Sequence, residues 1–188
     1  MDQCPADINF ECIQHILEDH RKPIYCVTFC EHFGYQHMFA TCGANTVSVY
    51  SIANNICQLV QAYMDEDVEE EYYACTWGST IDGAPTLLIG GVRGIIKVLN
   101  CATFVVELIL PGHGNAINDL KIHPVDDGLC FSASKDMSIR LWNLRTGVCI
   151  AVFAGEKGHR DDVLFIDVHP LGNSLVSCGM DTRFEICI

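Results

Sequence analysis

Residues 112–143 read Gly112-His113-Gly114-Asn115-Ala116-Ile117-Asn118-Asp119-Leu120-Lys121-Ile122-His123-Pro124, then Phe131-Ser132-Ala133-Ser134-Lys135-Asp136, and close on Ile139-Arg140-Leu141-Trp142-Asn143. Each run is short and alternates apolar with polar residues, the period of a strand buried on one face. Turn residues separate the runs: Pro124 through Gly128 after the first, Lys135-Asp136 after the second. The stretch predicts antiparallel strands joined by tight turns, an all-β unit.

The unit recurs. Opening histidines stand at His20, His113 and His159; the last two are 46 residues apart and the first two 93, two periods with a degenerate copy between. Closing positions fall at Tyr50, Leu99, Trp142 and Cys187, spaced 49, 43 and 45. A period near 45 is what four short strands and their turns require, and each such unit buries its apolar face on the next. The expected repeats are 18–63, 64–111, 112–157 and a shortened 158–188. Ahead of them, residues 1–17 alternate weakly through Ile8, Phe10 and Cys12 and read as a stray outer strand over 8–17. Gly94 is expected at the turn where Asp136 sits one repeat later. The acidic run Asp65 to Glu71 reads as a solvated loop.

Composition narrows the function classes. The 188 residues are 49% hydrophobic, enough for a sizeable core. Eleven basic against 24 acidic residues give a net charge of −13, which argues against direct nucleic-acid binding and suits a basic peptide partner. No apolar run approaches ~20 residues, and Met1 to Phe10 lack the pattern of a signal peptide. The chain therefore reads as intracellular and off the membrane. Of the 12 cysteines, Cys42, Cys75, Cys130 and Cys178 fall in strand patterns, where a reduced Cys packs as a small apolar residue. Cys26, Cys30, His32 and His37 match no common zinc spacing and read as ordinary strand residues. Neither a metal nor a cofactor is expected.

A Ser four residues before an Asp recurs as Ser132/Asp136 and Ser177/Asp181. With His113 and Trp142 the first pair resembles the hydrogen-bonded tetrad of WD-repeat blades, a structural device for a buried imidazole. The rival reading is a Ser-His-Asp hydrolase. It fails on repetition, and neither Ser has a nucleophile elbow. Aligning the inner strands places Tyr25, Tyr73, Asn118 and Leu164 in one register. Two aromatic faces at equivalent points of neighbouring blades could wall a cation site. On spacing alone, two matching tyrosines read as chance.

The chain resembles the embryonic ectoderm development/extra sex combs family, the WD-repeat subunit of Polycomb repressive complex 2. The resemblance is carried by Gly112-His113-Gly114-Asn115-Ala116-Ile117-Asn118, Arg93-Gly94-Ile95-Ile96, Gly158-His159-Arg160-Asp161 and Ser177-Cys178-Gly179-Met180-Asp181. It runs from Phe10 to Asp181 and covers the first half of the family protein. It implies a seven-bladed β-propeller, of which about four blades are present here as an open arc. It also implies a nuclear, non-enzymatic partner of a histone methyltransferase that reads a trimethyl-lysine histone tail through an aromatic cage. Tyr25 falls on a cage position that is usually Phe, and Tyr73 on a cage Tyr. Asn118 is a candidate histone-backbone contact or, equally, a polar strand-start residue. The remaining cage walls, including a Trp-Tyr pair, lie in later blades, and Cys187 replaces the last closing Trp. The alternative is a generic WD-repeat scaffold, or a truncated product, that reads no mark.

Overall fold

A computed structural model describes residues 11–80 and 83–187. Among the described residues there is no helix. The first sheet is β1 (Cys26–Phe29), β2 (Met38–Gly43), β3 (Thr46–Ala53) and β4 (Ile56–Met64). The second is β5 (Tyr72–Ser79), β6 (Pro85–Gly91), β7 (Ile95–Asn100) and β8 (Val106–Pro111). The third is β9 (Ile117–Ile122), β10 (Leu129–Ser134), β11 (Ile139–Asn143) and β12 (Val148–Phe153). The fourth holds β13 (Val163–Val168), β14 (Leu175–Gly179) and β15 (Phe184–Cys187). Each sheet is an antiparallel meander whose strands pair in sequence order. The sheets follow one another as an open arc of four blades.

The core lies between blades, not within them. One cluster joins Cys42, Val47 and Val49 of the first blade to Tyr72, Trp77, Leu87 and Ile89 of the second. A second packs Leu88, Ile96 and Leu110 on Ile117, Leu120 and Trp142. A third sets Phe131 and Ile139 against Val163, Ile166 and Leu175. Strand β6 is buried along its whole length, matching its run Leu87-Leu88-Ile89. The outer strands β4, β8 and β12 alternate between more and less exposed residues, as a strand covered on one face must. Hydrogen bonds lock neighbouring blades: Trp77 Nε1 donates to the Thr28 carbonyl at 3.0 Å, and the Ile166 amide to Asp119 Oδ2 at 3.0 Å.

Two expectations are corrected and one is refined. The stray outer strand over 8–17 lies partly outside the described residues, and residues 11–17 form no strand. The Gln14 side-chain amide instead bonds the Cys57 backbone on β4, at 3.0 and 3.2 Å, so this segment lies on the first blade. The acidic run is not simply solvated: Asp65 and Glu70 are only 6% and 3% exposed. Asp65 accepts from the Lys97 ammonium and the Tyr72 hydroxyl, while Arg93 pairs with Asp67 at 2.7 Å and Glu69 at 3.1 Å. Finally, Gly94 does lie in the turn that holds Asp136 one repeat later, one place further along. Its positive φ of 68° matches Met137 at 67°, which places Arg93 at the aspartate's register. A Cβ on Gly94 would also meet the Asn115 carbonyl at 2.6 Å.

Candidate functional site

The inner strands share one irregularity. Tyr72 pairs with Gly91 and Ala74 with Gly90, which leaves Tyr73 as the extra residue of a β-bulge. Asn118 is skipped in the same way between β9 and β10, and Leu164 between β13 and β14. Tyr25 stands at the matching place just before β1, its amide bonded to the Cys42 carbonyl at 2.9 Å. A bulge leaves one residue out of the ladder and turns its side chain aside. Here it turns Tyr73, Asn118 and Leu164 to one rim of the arc. The strand must come very close at that point: a Cβ on Gly91 would sit 2.0 Å from the Glu71 carbonyl oxygen.

The register residues meet in one open pocket of about 550 Å³, lined by Tyr25, Tyr73, Asn118, Lys135, Leu164 and Phe165 among others. The Tyr25 and Tyr73 rings touch edge to face, 4.8 Å between centroids and 78° between planes, a favoured aromatic geometry. Glu71 holds both, accepting from the Tyr25 hydroxyl at 3.3 Å and the Tyr73 hydroxyl at 3.1 Å. Burial, and then the Glu71 carboxylate, push the Tyr73 phenol up to about 12. Its ring therefore stays neutral at physiological pH. Lys135 Nζ lies over the Tyr73 ring at 5.6 Å. Asn118 Nδ2 donates to the Val163 carbonyl at 2.7 Å, so this amide joins the third blade to the fourth. That bond gives Asn118 a structural task and leaves its side-chain oxygen for other use.

Three residues at or beside this pocket carried no distinct signal in the sequence: Glu71, Lys135 and Phe165. Glu71 was hidden in the acidic run, although it stands two residues before Tyr73. Lys135 sits in the turn after β10 and looks like any turn lysine. Phe165 is 64% exposed and supplies a third aromatic ring to the lining. Only the alternation of β13 could have signalled it.

The tetrad is assembled on the third blade. Trp142 Nε1 donates to Ser132 Oγ at 2.8 Å, and Ser132 Oγ lies 2.6 Å from His113 Nε2. His113 Nδ1 lies 2.9 Å from Asp136 Oδ2. A carboxylate only accepts, so His113 donates from Nδ1 and accepts the Ser132 proton at Nε2. The histidine thus reaches the tryptophan through the Ser132 hydroxyl. Burial lowers the His113 pKa and keeps the ring neutral. Burial alone would raise the Asp136 carboxyl, but the Ser138 hydroxyl, the Gly114 amide and His113 outweigh it and hold it at about 2. The fourth blade repeats the set as His159, Ser177 and Asp181, with His159 Nε2 2.9 Å from Ser177 Oγ and Nδ1 3.0 Å from Asp181 Oδ1. The two blades share the His–Ser–Asp hydrogen bonds, and Cys187 stands in the fourth where Trp142 stands in the third.

The opening histidine of the first blade is replaced in this role. Glu18 accepts from Thr41 Oγ1 at 2.7 Å and Ser48 Oγ at 3.1 Å, while His20 only accepts the Lys22 amide. The closing residues do hold equivalent places: Tyr50 pairs with Phe39, Leu99 with Leu87, Trp142 with Cys130 and Cys187 with Leu175.

The WD domain, G-beta repeat family profile matches residues 10–51, 104–143 and 147–186. The chain is 42% identical to Polycomb group protein FIE1 of Oryza sativa subsp. japonica over 173 residues, 90% of this chain and 46% of that protein. It is 41% identical to Polycomb protein esc of Drosophila melanogaster over 176 residues, 92% of this chain and 41% of that one. It thus spans less than half the length of these curated relatives. Among solved structures it is similar to a chain of an active polycomb repressive complex 2 in the basal state. That match has a TM-score of 0.82 and 27% identity, covering 90% of this chain and 38% of the other. A ctPRC2 complex with H3K27me3 gives a TM-score of 0.80 and 28% identity, covering 87% of this chain and 36% of the other. The repeats, the two hydrogen-bonded His–Ser–Asp sets and the arc of meanders agree with these matches: the chain belongs to the WD domain, G-beta repeat family, and is similar there to Polycomb group proteins.

Proposed function

We propose that this chain is the trimethyl-lysine-reading part of the WD-repeat subunit of a Polycomb histone methyltransferase complex. It works in the nucleus, in transcriptional repression, without catalysis of its own. The observation that carries the reading is the edge-to-face pair of Tyr25 and Tyr73 from adjacent blades, held by Glu71 at the mouth of a pocket. Aromatic faces attract an ammonium group through their quadrupole, and Glu71 adds negative charge beside them. A net charge of −13 favours a basic tail over nucleic acid. The relatives' names and the complex solved with H3K27me3 support the same partner class. A methyltransferase subunit would occupy the opposite face, as the family resemblance implies.

A second reading has one observation in its favour. Lys135 already lies over the Tyr73 face, so the chain could serve as a scaffold that reads no mark. Calorimetric titration separates the two, using a trimethyl-lysine histone H3 peptide and its unmethylated form. The mark reader binds the methylated peptide preferentially, and Tyr73→Ala weakens that binding roughly 2- to 30-fold, the range of one cation–π contact of about 0.5–2 kcal/mol. Equal affinity for both peptides, unchanged by Tyr73→Ala, leaves the scaffold reading standing.

A further inference from the structure

Beneath the tyrosine pair three thiols converge. Cys26 and Cys42 are partners across the β1–β2 ladder, and Cys75 reaches them from β5 of the next blade. Their sulfur atoms all lie within 4.8 Å of one another. Cys42 and Cys75 are buried, while Cys26 is half-buried and lines the rim pocket. We propose that Cys26, Cys42 and Cys75 form a zinc site that staples the first blade to the second, with its fourth position on the pocket side.

The geometry suits that ion. Three sulfurs at the usual zinc–sulfur distance of about 2.3 Å around a tetrahedral centre stand about 3.8 Å apart. Closing the observed triangle needs movements of about 1 Å or less along each edge. Three thiolates select a soft or borderline cation and exclude calcium and magnesium. The pocket beside Cys26 admits water as the fourth ligand and gives the ion a way in. Zinc replaces the thiol protons as it binds, so uptake weakens as pH falls. Simple core packing accounts for the other buried thiols: Cys30 packs in the apolar cluster of the first two blades and Cys130 in that of the second and third. Among the described residues this trio alone brings three potential metal-ligand atoms together, and it joins two blades. Tyr25 precedes Cys26, and Tyr73 stands two residues before Cys75, so a zinc staple would fix both strands that carry the rings.

The test uses the full chain, purified reduced and without added chelator. Metal content is measured by elemental analysis and native mass spectrometry. One zinc per chain is expected, and zinc added to stripped protein raises the thermal midpoint. Cobalt(II) in its place gives the intense visible bands of a tetrahedral thiolate site. Cys26→Ser abolishes these signals. Cys57→Ser and Cys178→Ser, outside the trio, leave them intact. The Cys26 side chain is only half-buried, and circular dichroism verifies that Cys26→Ser remains folded. Cys42→Ser gives an independent second loss. Substoichiometric zinc in the unaltered chain, zinc fully retained by Cys26→Ser, or a Cys26–Cys42 disulfide in the reduced preparation overturns the proposal. So does copper(I) bound in preference to zinc. No peptide is needed, so failure here is distinct from failure of the methyl-lysine reading.

Discussion

Trp142→Ala lowers the stability of the chain by ~3–5 kcal/mol, the cost of emptying a fully buried aromatic site. Trp142 is 1% exposed and packs in the cluster between the second and third blades. Its removal leaves a cavity there and takes the indole donor from Ser132 Oγ. The relay then loses its first link: indole N–H to Ser132, Ser132 O–H to His113, His113 N–H to Asp136. Trp142→Phe separates the two effects. It keeps most of the volume but not the donor, and is expected to cost ~1–2 kcal/mol. Urea unfolding followed by circular dichroism gives both numbers. A Trp142→Ala chain within ~1 kcal/mol of the unaltered one would show that the tetrad does not pin the blade.

The second large effect is expected at the buried ion pair of the acidic run. Lys97 and Asp65 have side chains 16% and 5% exposed, and the Tyr72 hydroxyl also donates to Asp65. Lys97→Met leaves the carboxylate without its cation, which costs ~3–5 kcal/mol in such sites. At ~2–4 °C per kcal/mol for a chain of this size, the thermal midpoint drops by roughly 6–20 °C. Burial alone would raise the Asp65 carboxyl, but Lys97 and Tyr72 outweigh it and hold its pKa at about 2, below the ordinary 3.8. A depressed carboxyl pKa gives stability that is present above about pH 4 and is lost as pH falls through about 2. In Lys97→Met burial is no longer outweighed and the Asp65 pKa rises, so this part of the acid limb flattens and the penalty of the substitution shrinks as the carboxyl is protonated. The double variant Asp65→Asn/Lys97→Met recovers part of the loss, because no unpaired charge remains buried. A double variant worse than the sum of the singles would contradict this account.

Local pattern and long-range geometry were legible to different degrees. The runs of the third blade, the closing positions and the Ser-to-Asp spacing all lie within one repeat, and the ladder places them in register. Tyr25 and Tyr73 could be aligned because both stand at a fixed point of their repeats. Their contact depends on the β-bulge at Tyr73, which inserts a residue without altering the alternation around it. Glu71 and Asp65 were obscured because a run of acids reads as solvated whatever each side chain touches. In this run Asp65 finds Lys97 at 32 residues' distance and Glu71 finds Tyr25 at 46. The thiol trio spans two blades, so no spacing rule for zinc ligands could reveal it. Glu18 was overlooked because a histidine two residues later satisfied the repeat pattern.

Methyl-lysine reading requires the Tyr25 and Tyr73 faces to recognise charge and not only bulk. A trimethyl-lysine H3 peptide and its neutral isostere, with a tert-butyl carbon in place of the ammonium nitrogen, differ in that charge while keeping nearly the same shape. Competitive titration of the two against the chain is the direct measurement. The cationic peptide is expected to bind more tightly, roughly 2- to 30-fold, with the preference lost in Tyr73→Ala. Equal affinity for both peptides would contradict methyl-lysine reading.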